Sequence, residues 1–160
     1  MTIEPASYRH LEGKDISDQE QVKRMLDRRN PVLSEVFMTV EGIEADDVEY
    51  PVTASDGSFL GAVSLLFSPE KLLTGVIFPA AAGETAEIFV MERGGRILFH
   101  PEKSRSGTNL LASGEFITDE KLRRLGERIA AEPEGKDLEA NAAWTSVSLY
   151  DTYWRLAAFK

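Results

Sequence analysis

Residues 48–67 read VEYPVTASDGSFLGAVSLLF, and this stretch decides the fold class. Residues at every second position of its first part are apolar, the period-two pattern of a β-strand: Val48, Tyr50, Val52 and Ala54. Ser55-Asp56-Gly57-Ser58 then supplies the residue types of a tight turn. The run from Phe59 to Phe67 is apolar, which predicts a second, largely buried strand. The stretch therefore predicts an antiparallel hairpin.

A helix is predicted before this hairpin. Ser17-Asp18-Gln19-Glu20 has the pattern of a capping box, and the helix over residues 18–29 carries Val22, Met25 and Leu26 on one face. It ends before Asn30-Pro31, because proline disfavours a helical conformation in the preceding residue. Residues 33–41 predict a further strand, so the first half is a helix followed by a three-stranded antiparallel meander.

A second helix is predicted to begin at Ser68-Pro69-Glu70, with proline at the first helical position. Its buried stripe comprises Leu72, Leu73, Val76 and Ile77. The stretch around Ala80-Ala81-Ala82 resembles a linker, and we expect a domain boundary near residue 83. Gly94-Gly95 then joins two apolar strands, residues 87–93 and 96–100, in a two-residue hairpin turn.

The last third repeats the first in outline. A helix over residues 119–131, with its start at Thr118-Asp119-Glu120, precedes a meander that closes at Phe159, as the first meander closes at Phe67. The strands of this second meander are predicted at residues 136–141, 144–150 and 153–159. The second copy follows the Gly94-Gly95 hairpin, and the first has no such hairpin before its helix. We therefore expect the chain to begin partway through its first unit.

Composition excludes several classes of protein. The 160 residues carry a formal net charge of -9, which opposes binding to nucleic acid or to an anionic membrane surface. The chain has no cysteine, so disulfides, thiolate metal sites and cysteine nucleophiles are excluded. No apolar run approaches the ~20 residues of a membrane helix, and we expect no direct membrane insertion in this segment.

Catalytic and metal-binding motifs are missing from the sequence. His10 and His100 are isolated histidines without metal-ligand spacing, and there is no G-x-S-x-G element or glycine-rich phosphate loop. A hydrolytic function would require His100 to lie within hydrogen-bond reach of a serine and a carboxylate. We predict no catalytic residue, no metal and no cofactor.

Two groups of side chains allow two interpretations each. The last meander is rich in aromatic residues, which either stack on a ligand or pack in the core, and core packing is favoured: Trp144, Tyr150, Tyr153 and Trp154. Arg24, Arg28 and Arg29 on the first helix form either a carboxylate-binding patch or a solvated face, and the solvated face is favoured.

Together these motifs resemble the Cache family of sensory domains, the extracellular PAS-like (PDC) modules. In the first half the resemblance rests on Gly13-Lys14-Asp15-Ile16-Ser17, on Pro31-Val32-Leu33-Ser34, and on Tyr50-Pro51-Val52 running into residues 56–63. In the second half it rests on Ile88-Phe89-Val90, on residues 95–101 and on Gly107-Thr108-Asn109-Leu110. These stretches follow the family's order and spacing over nearly the whole chain.

The resemblance implies an α+β fold, a PAS-like antiparallel sheet flanked by helices. It implies the double-Cache type, with a partial membrane-distal unit over residues 1–83 and a complete membrane-proximal unit over residues 84–160. The implied function is non-enzymatic sensing of a small molecule by the extracytoplasmic part of a membrane-anchored receptor. The family's amino-acid-binding signature is not evident, so that ligand class is not carried over. The alternative is a ligand-free structural or dimerisation module that transmits signal, and a homodimer is compatible with both.

If the second unit has a ligand pocket, we expect it between the helix over residues 119–131 and the sheet. In the second unit the candidate residues are Phe99, His100, Asn109, Trp144 and Tyr153. In the first unit they are Met25, Arg28, Phe37 and Tyr50. A cavity between sheet and helix would hold a ligand that shifts the population of signalling states.

Overall fold

The computed structural model describes residues 2–80, 86–112 and 120–160. The chain divides into two compact units, Met1–Ser68 and Pro69–Lys160. The boundary expected near residue 83 lies outside the described residues, as do Gly114 and the Thr118-Asp119 part of the predicted helix start. The helix that begins at Pro69 thus belongs to the second unit.

The first unit is a helix and a small antiparallel sheet, as predicted. A 3-10 helix precedes α1, and β3 is the central strand, with β1 and β2 on one edge and β4 on the other. The bounds are Ala6–Leu11 for the 3-10 helix, Glu20–Arg28 (α1), Val32–Leu33 (β1), Phe37–Met38 (β2), Glu44–Thr53 (β3) and Phe59–Phe67 (β4). The single strand predicted over residues 33–41 is interrupted between β1 and β2.

The predicted capping box is wrong. The N-cap of α1 is Gln19, which has an extended backbone and makes no side-chain cap hydrogen bond. Ser17 instead donates its backbone N–H to Asp15 Oδ1 at 2.9 Å, an Asx turn that competes with helix capping. The predicted C-terminus is confirmed, because Arg29 takes the left-handed conformation at φ 54° and ends the helix before Asn30.

The hairpin of β3 and β4 buries its polar face, the reverse of the expectation. Asp47 and Glu49 lie on the face that α1 covers and are only 2% and 3% exposed. On the other face, Tyr50, Val63 and Leu65 are 53–63% exposed. The prediction that β4 is largely buried is therefore wrong. The physical reason is that β4 is an edge strand, and that Gln21 of α1 contacts the face that carries Asp47.

The second unit is a five-stranded antiparallel sheet with helices, which confirms the α+β fold. Its strand order is β6-β5-β9-β8-β7. The bounds are Pro69–Ala80 (α2), Glu87–Glu92 (β5), Ile97–Phe99 (β6), Glu120–Ala131 (α3), Gly135–Asp137 (β7), Ala142–Leu149 (β8) and Thr152–Phe159 (β9), with a 3-10 helix at Lys103–Arg105. The closing hairpin β8–β9 corresponds in chain order to β3–β4, but β9 also pairs with β5 on its outer edge.

The predicted hairpin between β5 and β6 is present with a longer turn. Gly95 has φ 84°, and its N–H donates to the Glu92 carbonyl at 3.0 Å. The Glu92 N–H donates in turn to the Arg96 carbonyl at 3.0 Å. The loop therefore comprises the three residues Arg93–Gly95, and Gly95 occupies its left-handed position.

The core of the second unit lies between α3 and the sheet. Leu125 and Ile129 of α3 pack with buried residues of the strands, among them Phe89, Met91, Ile97, Ala142, Trp144 and Ala157. The Trp144 indole lies over the backbone of Gly135, with the Arg128 guanidinium 4.9 Å from its ring centre.

The apolar stripe of α2 is narrower than predicted. Leu73 and Ile77, one helical turn apart, are buried, whereas Leu72 and Val76 are 49% and 60% exposed. Residues four positions apart lie on the same face of a helix, so a single row of α2 side chains is covered.

Candidate ligand-binding site

A cleft of about 630 Å³ lies within the first unit, between its N-terminal segment, α1 and the hairpin β3–β4. Most of its wall is apolar, including Ile3, Ile16, Val22, Met25, Phe59 and Leu66. Its polar lining includes Tyr8, Glu49 and Ser64. A concave apolar site with a few polar groups is the usual form of a small-molecule site.

Glu49 is the buried polar group of this cleft. Its side chain is only 3% exposed but lines the cavity. Among the described residues no hydrogen-bond donor reaches its carboxyl group, and its polar neighbour is the carboxylate of Asp47, two residues away on the same face of β3.

Asp47 is held in place by hydrogen bonds from α1 and β4 and by a pair of hydrogen bonds with Ser34. Gln21 of α1 donates its Nε2 to Asp47 Oδ2 at 3.2 Å, and Ser64 of β4 donates its hydroxyl to Oδ1 at 2.6 Å. The Asp47 backbone N–H donates to the Ser34 hydroxyl at 2.8 Å. Asp47 therefore ties α1, β4 and the β1–β2 connection together beside Glu49.

Burial raises the pKa of Glu49 to about 7. The negative charge of Asp47 and the hydrogen bond that protonated Glu49 donates to it raise the pKa further in the same direction. Glu49 is therefore mostly protonated below about pH 7.

The charged groups around the cleft are mostly acidic. Glu4 and Glu41 also line it, and no lysine, arginine or histidine is among the described lining residues. The guanidinium of Arg29 stacks on the Phe59 ring at 3.8 Å, and that of Arg9 is paired with Glu4. Both cations thus lie against lining residues without being part of the cavity wall.

A smaller cavity of about 210 Å³ lies in the second unit. Its lining mixes aromatic residues with both charge signs: Glu87, Phe89, Ile97, His100, Glu102, Arg105, Leu110, Leu122 and Phe159. The Glu102 N–H donates to His100 Nδ1 at 2.9 Å. Burial lowers the pKa of His100, and the nearby charge of Arg105 adds to this effect, so the imidazole is neutral at pH 7.

The residues predicted for the second unit lie in different places. His100 lines the smaller cavity, while Phe99 is buried with its ring 5.9 Å from that of Phe78. Asn109 donates Nδ2 to the Gly94 carbonyl at 2.9 Å and supports the β5–β6 turn. Trp144 is a core residue, and the Tyr153 ring lies under the Arg155 guanidinium at 4.2 Å. The structure does not gather these five residues around one cavity.

In the first unit, Met25 lines the cleft and the other three predicted residues do not. Arg28 is exposed at the end of α1, Phe37 lies in β2, and Tyr50 projects from the open face of the sheet. Sequence reasoning missed Glu49, Asp47 and Ser64. A signal was present, because Ser64 is the one hydroxyl residue in the apolar run of β4 and lies directly opposite Glu49 in the register.

Neither catalysis nor metal binding finds support in the geometry. Across residues 2–80, 86–112 and 120–160, no three histidine or acidic side chains are grouped as a metal site would require. Within the same ranges no serine hydroxyl hydrogen-bonds the His100 imidazole, as a hydrolytic site would need. No described helix combines the length and the hydropathy of a membrane span.

The two sheets and their flanking helices give the chain an α+β fold of the PAS-like class. Residues 1–69 match the family model described as HK/GC/Chemotaxis protein-like, sensor domain. No protein of curated function matches the sequence. The family match and the structural neighbours confirm the predicted resemblance to Cache-like sensor domains.

Three solved structures show the likeness. An extracellular ligand binding receptor from Desulfohalobium retbaense is 31% identical, with a TM-score of 0.74 over 97% of this chain and 27% of that one. The periplasmic sensory domain of the Campylobacter jejuni chemoreceptor Tlp1 is 16% identical, with a TM-score of 0.61 over 89% of this chain and 55% of that one. The ligand-binding domain of the Pseudomonas fluorescens chemoreceptor CtaA, in complex with L-valine, is 16% identical, with a TM-score of 0.55 over 91% and 60%. This chain therefore spans between about a quarter and three fifths of the length of these neighbours.

Proposed function

We propose that this chain is an extracytoplasmic small-molecule-sensing domain of a membrane-anchored signal-transduction receptor, without catalytic activity. The observation that carries the proposal is the first-unit cleft, which is concave and mostly apolar and has the buried carboxyl group of Glu49 in its wall. The match of residues 1–69 to a sensor-domain family supports it independently. The CtaA neighbour binds L-valine, and a molecule of that size fits a cleft of about 630 Å³.

The cleft is placed where a ligand could change the position of α1. The cleft is lined from the helix side by Met25 of α1 and from the sheet side by Glu49 of β3. Gln21 of α1 also reaches the sheet, through its hydrogen bond to Asp47. A ligand that contacts both elements binds one arrangement of helix and sheet more tightly and shifts the population towards it. The receptor would read this shift as its signal.

The two compact units support a tandem arrangement. In this proposal the first unit, predicted at residues 1–83 and compact over Met1–Ser68, is the membrane-distal Cache-like unit. The second, predicted at 84–160 and compact over Pro69–Lys160, is the membrane-proximal unit.

The alternative, a ligand-free structural or dimerisation module, predicts a fully packed interface between helix and sheet. The cleft between α1 and β3–β4 argues against that interface. The proposal also allows a homodimer, because the apolar side chains of Tyr50, Val63 and Leu65 are exposed. Sensing and self-association are compatible.

A thermal-shift screen of organic acids, amino acids, amines and neutral metabolites tests the sensing function. We expect at least one class to raise the Tm by several degrees, because a ligand at 100 Kd contributes about 2.7 kcal/mol. Ala62→Trp, which fills the cleft from β4, should abolish the shift. The matched variant Val52→Trp, which lies outside the cleft, should retain it. If no class stabilises the chain, or if both variants respond alike, the cleft is not the sensing site.

A further inference from the structure

We propose that the first-unit cleft selects small apolar amines, with the ligand's ammonium group seated on Glu49 beside Asp47. This inference rests on the proposed sensing function, and it adds the chemical class of the ligand. It follows from the charges, the burial and the hydrogen-bond partners inside the cleft.

Glu49 is the acceptor that a ligand's ammonium group would meet in the cleft. Glu49 lies on the cavity wall, is 3% exposed and receives no hydrogen bond from any donor in the described chain. A buried carboxylate without a donor or a cation is unfavourable. An ammonium group supplies three donors and the opposite charge, which are what Glu49 lacks.

The charges of the cleft lining select against anionic ligands. The carboxylates that line the cleft are Glu4, Glu41 and Glu49, and the described lining contains no cationic side chain. Arg9 and Arg29, the nearby cations, are engaged with Glu4 and with the Phe59 ring. A ligand carboxylate would be repelled by the negative charges of the lining carboxylates, so organic acids are disfavoured. An amino acid would bring one favourable group and one unfavourable group.

The apolar part of the cleft wall determines what the rest of the ligand should be. The cleft wall beyond Glu49 is formed by Val22, Met25 and Leu26 of α1 and by Phe59 and Leu66 of β4. Burial of a hydrocarbon group against these side chains raises affinity about fourfold for each methylene, because moving one methylene out of water is favourable by about 0.8 kcal/mol. A branched or linear alkyl chain is therefore the matching partner for the ammonium group.

Amine binding should release a proton. Without a bound cation, Glu49 is protonated at pH 6 because burial and Asp47 raise its pKa to about 7. The polar groups that hydrogen-bond its neighbour Asp47 or line the cleft with it include Gln21 from α1, Ser64 from β4, Glu4 and Tyr8 from the N-terminal segment and Glu41 from the loop before β3. None of them is cationic, so the incoming ammonium is the group that displaces the proton to solvent.

Isothermal titration of the full chain with a matched probe series tests the inference. The probes are 3-methylbutylamine, 3-methylbutan-1-ol and 3-methylbutanoate, with n-hexylamine, 2-phenylethylamine and 1,4-diaminobutane to vary the amine. We expect binding by at least one amine, with affinity that falls about tenfold for each pH unit below 7 and levels off above it. Titration in buffers of different ionisation enthalpy at pH 6 should show about one proton released for each amine bound.

Glu49→Gln keeps the shape of the side chain and removes its charge. We expect it to weaken amine binding roughly 10- to 100-fold and to remove the pH dependence, as loss of a charge-assisted hydrogen bond implies. Glu35→Gln, the same substitution at an exposed site outside the cleft, should bind as the wild type does. Proton release by the wild type provides a readout that does not depend on how the variant folds.

The outcomes separate this inference from the sensing function. If the alcohol or the carboxylate binds as well as the amines, or if Glu49→Gln retains amine binding, the amine assignment is wrong and the sensing function stands. If another class from the thermal-shift screen binds in the cleft and no amine does, the result is the same. If nothing in either experiment binds, both proposals are overturned.

Discussion

Replacing Gly135 with valine is expected to unfold the second unit or to destabilise it by at least about 3 kcal/mol. A Cβ at this position would lie 2.3 Å from Trp144 Cζ2 and 2.6 Å from Cε2, far inside van der Waals contact. The indole cannot move aside easily, because it is 4% exposed and packed in the core with Leu125 and Ile129. The strain therefore falls on the pairing of β7 with β8.

The measurement is urea unfolding followed by tryptophan fluorescence. Both tryptophans, Trp144 and Trp154, lie in the second unit, so the signal reports that unit. Gly75→Ala is the matched control, since a Cβ there meets nothing within 4 Å and alanine in a helix is favoured over glycine by up to about 1 kcal/mol. In a Trp144→Leu background the Gly135 substitution should cost far less. An equal cost in both backgrounds would show that the indole is not the obstacle.

Glu49→Gln is expected to stabilise the first unit at alkaline pH and to have little effect at pH 5. The folded pKa of Glu49 is raised from 4.5 to about 7, so the folded state binds more protons than the unfolded state between these values. Its contribution to stability is therefore lost as pH rises from about 4.5 to about 7, and it is constant above. Between pH 5 and pH 8 the variant should gain roughly 2 to 3 kcal/mol relative to the wild type.

Far-UV circular dichroism during urea unfolding, recorded at both pH values, measures this difference. Tryptophan fluorescence from the same samples follows the second unit separately. Glu35→Gln should show no pH-dependent difference, because that side chain is exposed. The burial of Glu49 would be contradicted if the difference in free energy of unfolding between Glu49→Gln and wild type stayed constant with pH. It would also be contradicted if the wild type were the more stable at pH 8.

Much of the fold follows from local sequence. The turn at Asp56-Gly57, the proline at the start of α2 and the left-handed Gly95 are backbone requirements that only certain residues meet, so they are visible in the sequence. The meander order follows from them, whereas the sensor class is implied by the resemblance to the Cache family.

The site could be predicted only in outline, because the covered face of β3 is decided by tertiary packing. Two alternating sets run along this strand, Ala45-Asp47-Glu49 and Val48-Tyr50-Val52. Apolar periodicity favours burial of the second set. The structure buries the first, since Gln21 and Ser64 supply hydrogen bonds that make a buried Asp47 acceptable. Those partners lie 26 and 17 residues away in the sequence, beyond the reach of any local pattern.

The same limit applies to the aromatic residues of the second unit. Trp144 could serve in a ligand site or in the core, and its position over Gly135 places it in the core. Asn109 has the composition of a binding residue, but both ends of its amide group hydrogen-bond to backbone around the β5–β6 turn. In each case a contact distant in sequence decides the role.

If the chain is a sensor, a small molecule binds in the first-unit cleft between α1 and the Glu49 face of the sheet. The most direct test is an NMR titration of the 15N-labelled chain with the compound that gives the largest rise in Tm. We expect the amide signals of Gly61, Ser64, Met25, Glu49 and Asp47 to shift with ligand, while those of Ile97 and Leu110 around the smaller cavity stay unchanged. Shifts confined to Ile97, His100 and Leu110 would contradict it and would place the binding site in the second unit.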